Sequence, residues 1–148
     1  IYFLDRLTKI YVIQLDKNNL GSDIFNSAYL NIVLIWNKGI AFGLFSFDES
    51  HLYNILSLII SIIVVILIIM SLKSHGFKRY SLLMIVGGAL GNLHDRIFFN
   101  AVPDFIDFHV GNFHWFIFNV SDIFITLGVI SMIILELADN KTEKQNND

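Results

Sequence analysis

The sequence predicts an all-α membrane protein: four transmembrane helices, a small β-rich loop region outside the cytoplasm, and both termini in the cytoplasm. Three observations carry this. Of 148 residues, 55% are hydrophobic and only 16% charged, where ordinary soluble domains carry about a quarter charged residues. Leu52 to Leu72 is an unbroken run without a charge, and about 20 such residues span a bilayer. The short link Lys73-Ser74-His75-Gly76-Phe77-Lys78-Arg79 concentrates Lys and Arg, which the positive-inside rule places in the cytoplasm.

The apolar segments follow in order. The first runs from Ile1 to about Leu15 and is short for a span. The chain opens without a methionine and inside an apolar stretch, so a short N-terminal piece is expected to precede it. The second is Leu52 to Leu72, the third about Tyr80 to Phe99, and the fourth about Ile117 to Ala138. Residues 1–138 are expected to form one domain, since the polar segments are too short to bury cores of their own. Asp139 to Asp148 is polar and is expected to be a disordered cytoplasmic tail. By elimination, the segments near 16–51 and 100–116 lie outside the cytoplasm. In the first of these, Tyr29-Leu30-Asn31-Ile32-Val33-Leu34-Ile35-Trp36 reads as a strand followed by the turn Asn37-Lys38-Gly39.

Composition also excludes. Zero cysteines remove thiol catalysis, disulfides and Cys-based metal sites. No basic stripe points to nucleic acid.

Three spans carry acids where lipid penalises them: Asp5, Asp95 and Asp122. Such a residue costs roughly 2.5 kcal/mol or more on insertion scales and marks a bundle interior or a wet cavity. Asp5, Thr8 and Lys9 share one helical face, where Asp5 and Lys9 can pair. Gly87, Gly88, Ala89 and Gly91 allow close helix approach, and Asn92, Asp95 and Arg96 add a polar face beyond them. His94 points elsewhere and has no second well-placed metal ligand. Asp122 opens the fourth span after Asn119 and Ser121, so it serves either as a helix cap or as a carboxylate at membrane level.

Val102-Pro103-Asp104-Phe105-Ile106-Asp107-Phe108 holds two further acids and the only proline. Pro103 and its apolar neighbours favour extended backbone. Asp104 and Asp107 then point to opposite faces and form no local pair. Asp104 and Asp122 fall at the same membrane face and can meet. Two close carboxyl groups do not both ionise, so one supplies a base and the other an acid. That is aspartic-protease chemistry, with a structural or ion-conducting role as the competing reading.

The ordered motifs resemble those of bacterial lipoprotein signal peptidases (prolipoprotein signal peptidase, signal peptidase II). They are Asp5-x-x-Thr8-Lys9, Asn37-x-Gly39-x-Ala41-Phe42, Gly88-Ala89-x-Gly91-Asn92-x-x-Asp95-Arg96, Val102-x-Asp104-Phe105-Ile106-Asp107 and Phe118-Asn119-Val120-x-Asp122. The fifth departs from the usual Asn-x-Ala-Asp-Ser in the residues that flank Asp122, and His94 stands where an apolar residue is common. The resemblance implies a four-helix aspartic endopeptidase of the bacterial cytoplasmic membrane, active at its extracytoplasmic face. It implies cleavage of signal peptides before a diacylglyceryl-modified cysteine, a catalytic dyad of Asp104 and Asp122, and inhibition by globomycin-type cyclic peptides. Asn37, Gly39, Asn92, Arg96 and Asn119 would line or support the site, with Asp5, Lys9 and Asp95 in supporting positions. The implied enzyme needs no cofactor or metal. Its partners would be the lipidated prolipoprotein and membrane lipid, with no nucleic acid, and it would act as a monomer. The rivals are a small proton-coupled transporter or channel subunit, with Asp5, Asp95 and Asp122 as a relay, and a non-catalytic scaffold.

Overall fold

A computed structural model describes residues 1–19, 24–39 and 50–147, so Ala41 and Phe42 of the second motif lie outside the described residues. The elements run α1 (Tyr2–Asn18), β1 (Phe25–Asn26), β2 (Leu30–Asn37), α2 (Ser50–Lys73), α3 (Gly76–Phe99), β3 (Val102–Val110), β4 (Phe113–Phe118) and α4 (Val120–Asn147).

Among the described residues, three helices are long and apolar enough to cross a membrane: Tyr53–Lys73, Gly76–Phe99 and Val120–Asp139. The 17-residue α1 is not in that set. The third helix begins at Gly76, four residues before the apolar run, because Lys78 and Arg79 are good helix formers that extend it into polar surroundings. The C-terminal stretch departs from the expected disordered tail: α4 continues to Asn147. Residues 139–147 contain neither Gly nor Pro, so nothing in the backbone stops a helix already nucleated by the apolar turns before it.

The helices are inside out relative to a soluble bundle. Leu58, Ile62, Ile66, Ile133 and Ile134 lie about half exposed, while Asp5, Lys9, Asp95 and Asn119 are almost fully buried. Lipid is as apolar as leucine, so burying Leu gains little there. Association rests on close packing and polar contacts instead.

Glycine makes that packing possible. A Cβ on Gly88 would stand 2.5 Å from the Ser121 carbonyl oxygen, and one on Gly91 would collide with Ser121 Oγ and the Asp5 carboxylate. At Gly128 the obstacle is the Ser81 carbonyl at 2.7 Å. These contacts press α3 against α4, with the start of α4 beside α1.

Both inter-helix segments join one antiparallel sheet of order β1-β2-β3-β4. The predicted strand near 29–36 is β2, and the extended reading of 102–108 is β3. Asn31 faces Asp107 and Ile35 faces Asp104, with an irregularity between Ile32 and Ile35. Asn100 closes α3 in the left-handed conformation (φ 53°), an end state that Asn tolerates well. β4 was not anticipated from the sequence. Its signal was the dipeptide Gly111-Asn112 between two apolar runs; Gly111 has φ +59°, as a two-residue hairpin with Gly first requires.

Gly88→Ala is expected to destabilise the protein by about 1–3 kcal/mol, the usual cost of overpacking, because the obstacle is backbone. Denaturant titration in detergent would check this, and an unchanged midpoint would show that α3 and α4 are not held this closely.

Candidate active site

The site grows from the start of α4. Asn119 stands just before the helix, and its Oδ1 accepts the Asp122 backbone N–H at 3.2 Å. In return the Asn119 backbone N–H donates to Asp122 Oδ2 at 3.1 Å. This is a reciprocal capping box, so the cap reading of this stretch holds, with Asn119 as the capping residue. The cap leaves Asp122 Oδ1 free to accept the Asn92 amide at 2.8 Å. Asp122 is buried all the same.

The Asn119 amide is the bridge. Its Nδ2 donates to Asp104 Oδ1 at 2.6 Å, so Asn119 holds one carboxylate with its side chain and the other with its backbone N–H. Asp104 Oδ2 accepts from Asn37 Nδ2 at 2.9 Å. Asn37 in turn receives the Gly39 N–H on Oδ1 at 2.8 Å, which closes the predicted turn. Burial pushes the Asp104 carboxyl up to about 6, the neighbouring Asp122 charge adds to this, and the Asn37 and Asn119 amides oppose it. Asp107 shares none of these partners. It accepts from Asn31 at 3.2 Å and pairs with His114 at 2.9 Å, anchoring the sheet.

Behind the acids lies a charged core. Lys9 Nζ reaches Asp5 Oδ2 at 2.9 Å, Asp95 Oδ2 at 2.7 Å and Asn92 Oδ1 at 2.9 Å. The expected Asp5–Lys9 pair therefore exists and also recruits α3. Asp5 Oδ1 accepts the Ser121 N–H at 3.0 Å, placing a carboxylate at the positive end of α4. Arg6, which was not singled out in the sequence, pairs with both Asp5 and Asp95. It lies one position from Asp5, off the polar stripe, and only a long side chain folding back could bring it there. Thr8 keeps its place beside Asp5 on α1 but lends the cluster no side-chain contact: its hydroxyl donates to the Leu4 and Asp5 carbonyls of its own helix.

Asp95 and Arg96 separate in the structure. Asp95 turns to α1, whereas Arg96 donates to the Gly39 carbonyl at 3.1 Å and to Asn92 O at 3.1 Å. Arg96 thus holds the turn that carries Asn37. His94 pairs with Tyr2 Oη at 2.9 Å. A cavity of about 270 Å³ opens beside Asp122, lined by Trp115, Phe118, Ile123, Thr126 and Leu127. An apolar pocket with one acid at its edge can seat a greasy side chain next to a carboxyl group.

Fold and site together define a multi-pass membrane protein whose polar interior gathers two acids against a small sheet. The chain belongs to the signal peptidase II family, whose model, described as Signal peptidase (SPase) II, matches residues 1–138. It is 49% identical over 148 residues to a lipoprotein signal peptidase of Pelagibacter ubique, covering 99% of this chain and 89% of the relative. A lipoprotein signal peptidase of Anaplasma phagocytophilum is 44% identical over 136 residues, covering 90% and 85%. A bacterial membrane enzyme solved at 2.3 Å superposes with TM-score 0.76 at 29% identity, covering 95% of this chain and 85% of that one. A second, solved at 1.9 Å, gives TM-score 0.64 at 29% identity, with coverage of 92% and 94%.

Two outcomes follow. Lys9→Met leaves Asp5 and Asp95 short of a buried partner, and is expected to cost about 3–5 kcal/mol in detergent unfolding. Asp104 has a second signature. Burial raises its carboxyl from the ordinary 3.8 to about 6. As pH rises the unfolded chain therefore releases this proton first, and the contribution to stability is full below about pH 4 and withdrawn by about pH 6. Wild type should lose up to about 3 kcal/mol more than Asp104→Asn across that window. Parallel melting curves of the two proteins from pH 4 to 7 would reveal no such divergence if the acid were not buried.

Proposed function

We propose that this protein is an aspartic endopeptidase that removes signal peptides from prolipoproteins, cutting before the diacylglyceryl-modified cysteine. The family supports the peptidase reading, and its relatives are named for lipoprotein signal peptides. The observation that carries the chemistry is Asn119, whose side chain and backbone hold Asp104 and Asp122 together.

In this reading the pair shares one proton. Burial favours it on Asp104, while Asp122 sits in the first turn of α4 and accepts two hydrogen bonds that suit a charged carboxylate. Asp122 takes a proton from water as the oxygen attacks the peptide carbonyl carbon. Asp104 gives its proton to the carbonyl oxygen. As the tetrahedral intermediate collapses, the proton on Asp122 passes to the leaving amine and a hydroxyl of the intermediate returns one to Asp104, which restores the pair. Every proton is carried by a carboxyl group, so no metal or cofactor enters.

The substrate's signal segment would lie along the membrane helices while its acyl chains stay in lipid. The cavity beside Asp122 suits an apolar residue near the cleaved bond. Asn37, Gly39 and Arg96 would support the extended peptide, and Asn92 the dyad, with Asp5, Lys9 and Asp95 bracing the helices behind. The arrangement fits four spans with α1 as the first, residues 1–138 as one domain, and termini in the cytoplasm. The sheet and the dyad would then face outward from the bacterial inner membrane, in a monomer.

Asp104→Asn and Asp122→Asn are each expected to slow cleavage of a purified, lipidated preprolipoprotein by at least about 10³-fold, within the range for losing an acid–base group. Both should remain folded, since Asn keeps the shape and much of the hydrogen bonding. Near-normal cleavage by either variant would refute the dyad. Chelator should leave wild-type cleavage unchanged.

A further inference from the structure

Away from the dyad, the β3–β4 hairpin gathers Asp107, His109 and His114, whose ligand atoms all lie within 4.8 Å of one another. The register explains the convergence. Asp107 and His109 are two apart on β3 and both buried, with exposed Phe108 between them, and His114 is the cross-strand partner of His109, the register shifting between Asp107 and His109 so that the β4 side bends toward them. The two imidazole rings stack at 4.9 Å.

An ion pair between His114 and Asp107 accounts for only part of this. It leaves the buried Nδ1 of His109 without a hydrogen-bond partner, although His109 is only 9% exposed. A buried imidazole nitrogen with no partner is costly to leave unsatisfied, and this one belongs to a residue whose ring already stands within ligand distance of a carboxylate and a second imidazole. We propose that these three residues form a divalent transition-metal site that clips β3 to β4, separate from the peptidase chemistry.

The donor set selects the ion. Two imidazoles and one carboxylate suit zinc, copper or nickel, while magnesium and calcium prefer oxygen alone. Neutral imidazoles and one carboxylate would leave a single positive charge on a bound divalent ion. His114, whose side chain is 53% exposed, leaves one side open to water as a fourth ligand. Zinc bonds of 2.0–2.2 Å place neighbouring ligands roughly 3.3 Å apart. The exposed His114 can turn to close that distance, whereas Asp107 is already steadied by the Asn31 amide, as supporting groups around metal ligands do. Asp107 follows Asp104 by three residues on the same strand, so the clip would steady the strand that carries an acid of the active site.

The test uses tag-free, chelator-treated protein in detergent, titrated with Zn²⁺ against a chromophoric zinc indicator. One equivalent is expected to bind, and His109→Ala and His114→Ala should each weaken binding at least tenfold. Zn²⁺ should raise the melting temperature of wild type and not that of His114→Ala. His75→Ala, outside the cluster, should bind as wild type does. Absence of a stoichiometric site would overturn the proposal, as would binding undiminished in both cluster variants. Should the buried His109 variant fail to fold, the exposed His114 variant decides alone. None of these readouts depends on peptide cleavage, so the metal site and the dyad stand or fall separately.

Discussion

The ammonium group of Lys9 is the contact on which the rest of the polar interior depends. It is buried and meets Asp5 on its own helix, and Asp95 and Asn92 on α3. Asp5 extends the network to the first turn of α4, and Asn92 extends it to Asp122. One cation therefore joins three helices that apolar packing alone would leave free to slide in lipid. A buried charge network of this kind is weak evidence for net stability. Its contribution is alignment, since each carboxylate accepts only a few geometries without leaving a charge unpaired.

Around the two acids of the site the protein changes chemistry. The groups that touch Asp104 and Asp122 directly are amides from Asn37, Asn92 and Asn119 and the Asn119 backbone. Amides satisfy carboxylate oxygens without the full charge of Lys or Arg, which would hold both acids ionised. Arg96 is kept one step away, on the Gly39 carbonyl. The cations set the frame, and the amides alone satisfy the two acids.

Much of this was legible in the residues. Leu52 to Leu72 named a span because nothing else tolerates such a run. Asp5 with Lys9, and Gly88 with Gly91, declared their faces through helical spacing. Pro103 among apolar residues marks extended chain without reference to its sheet partners. Less was legible where a residue's role depends on reach. Arg6 joins the charged core by folding its side chain across to α3, and Thr8 adds no contact to it because its hydroxyl finds its own backbone. Helical spacing describes where a side chain starts, and long or short side chains end elsewhere.

The sequence by itself determined which segments are apolar enough for membrane, that acids stand among them, and that Asp104 and Asp107 are not a local pair. Those properties follow from composition and from periods of two and three to four residues, which need no distant contact. Only the tertiary structure decided that Asn119 joins the two acids, that Lys9 ties three helices, and that β4 completes the sheet. It alone brought His114 opposite His109. Each of these depends on cross-strand register or helix approach, and a few ångströms of slippage would change the partner without changing a letter of the sequence.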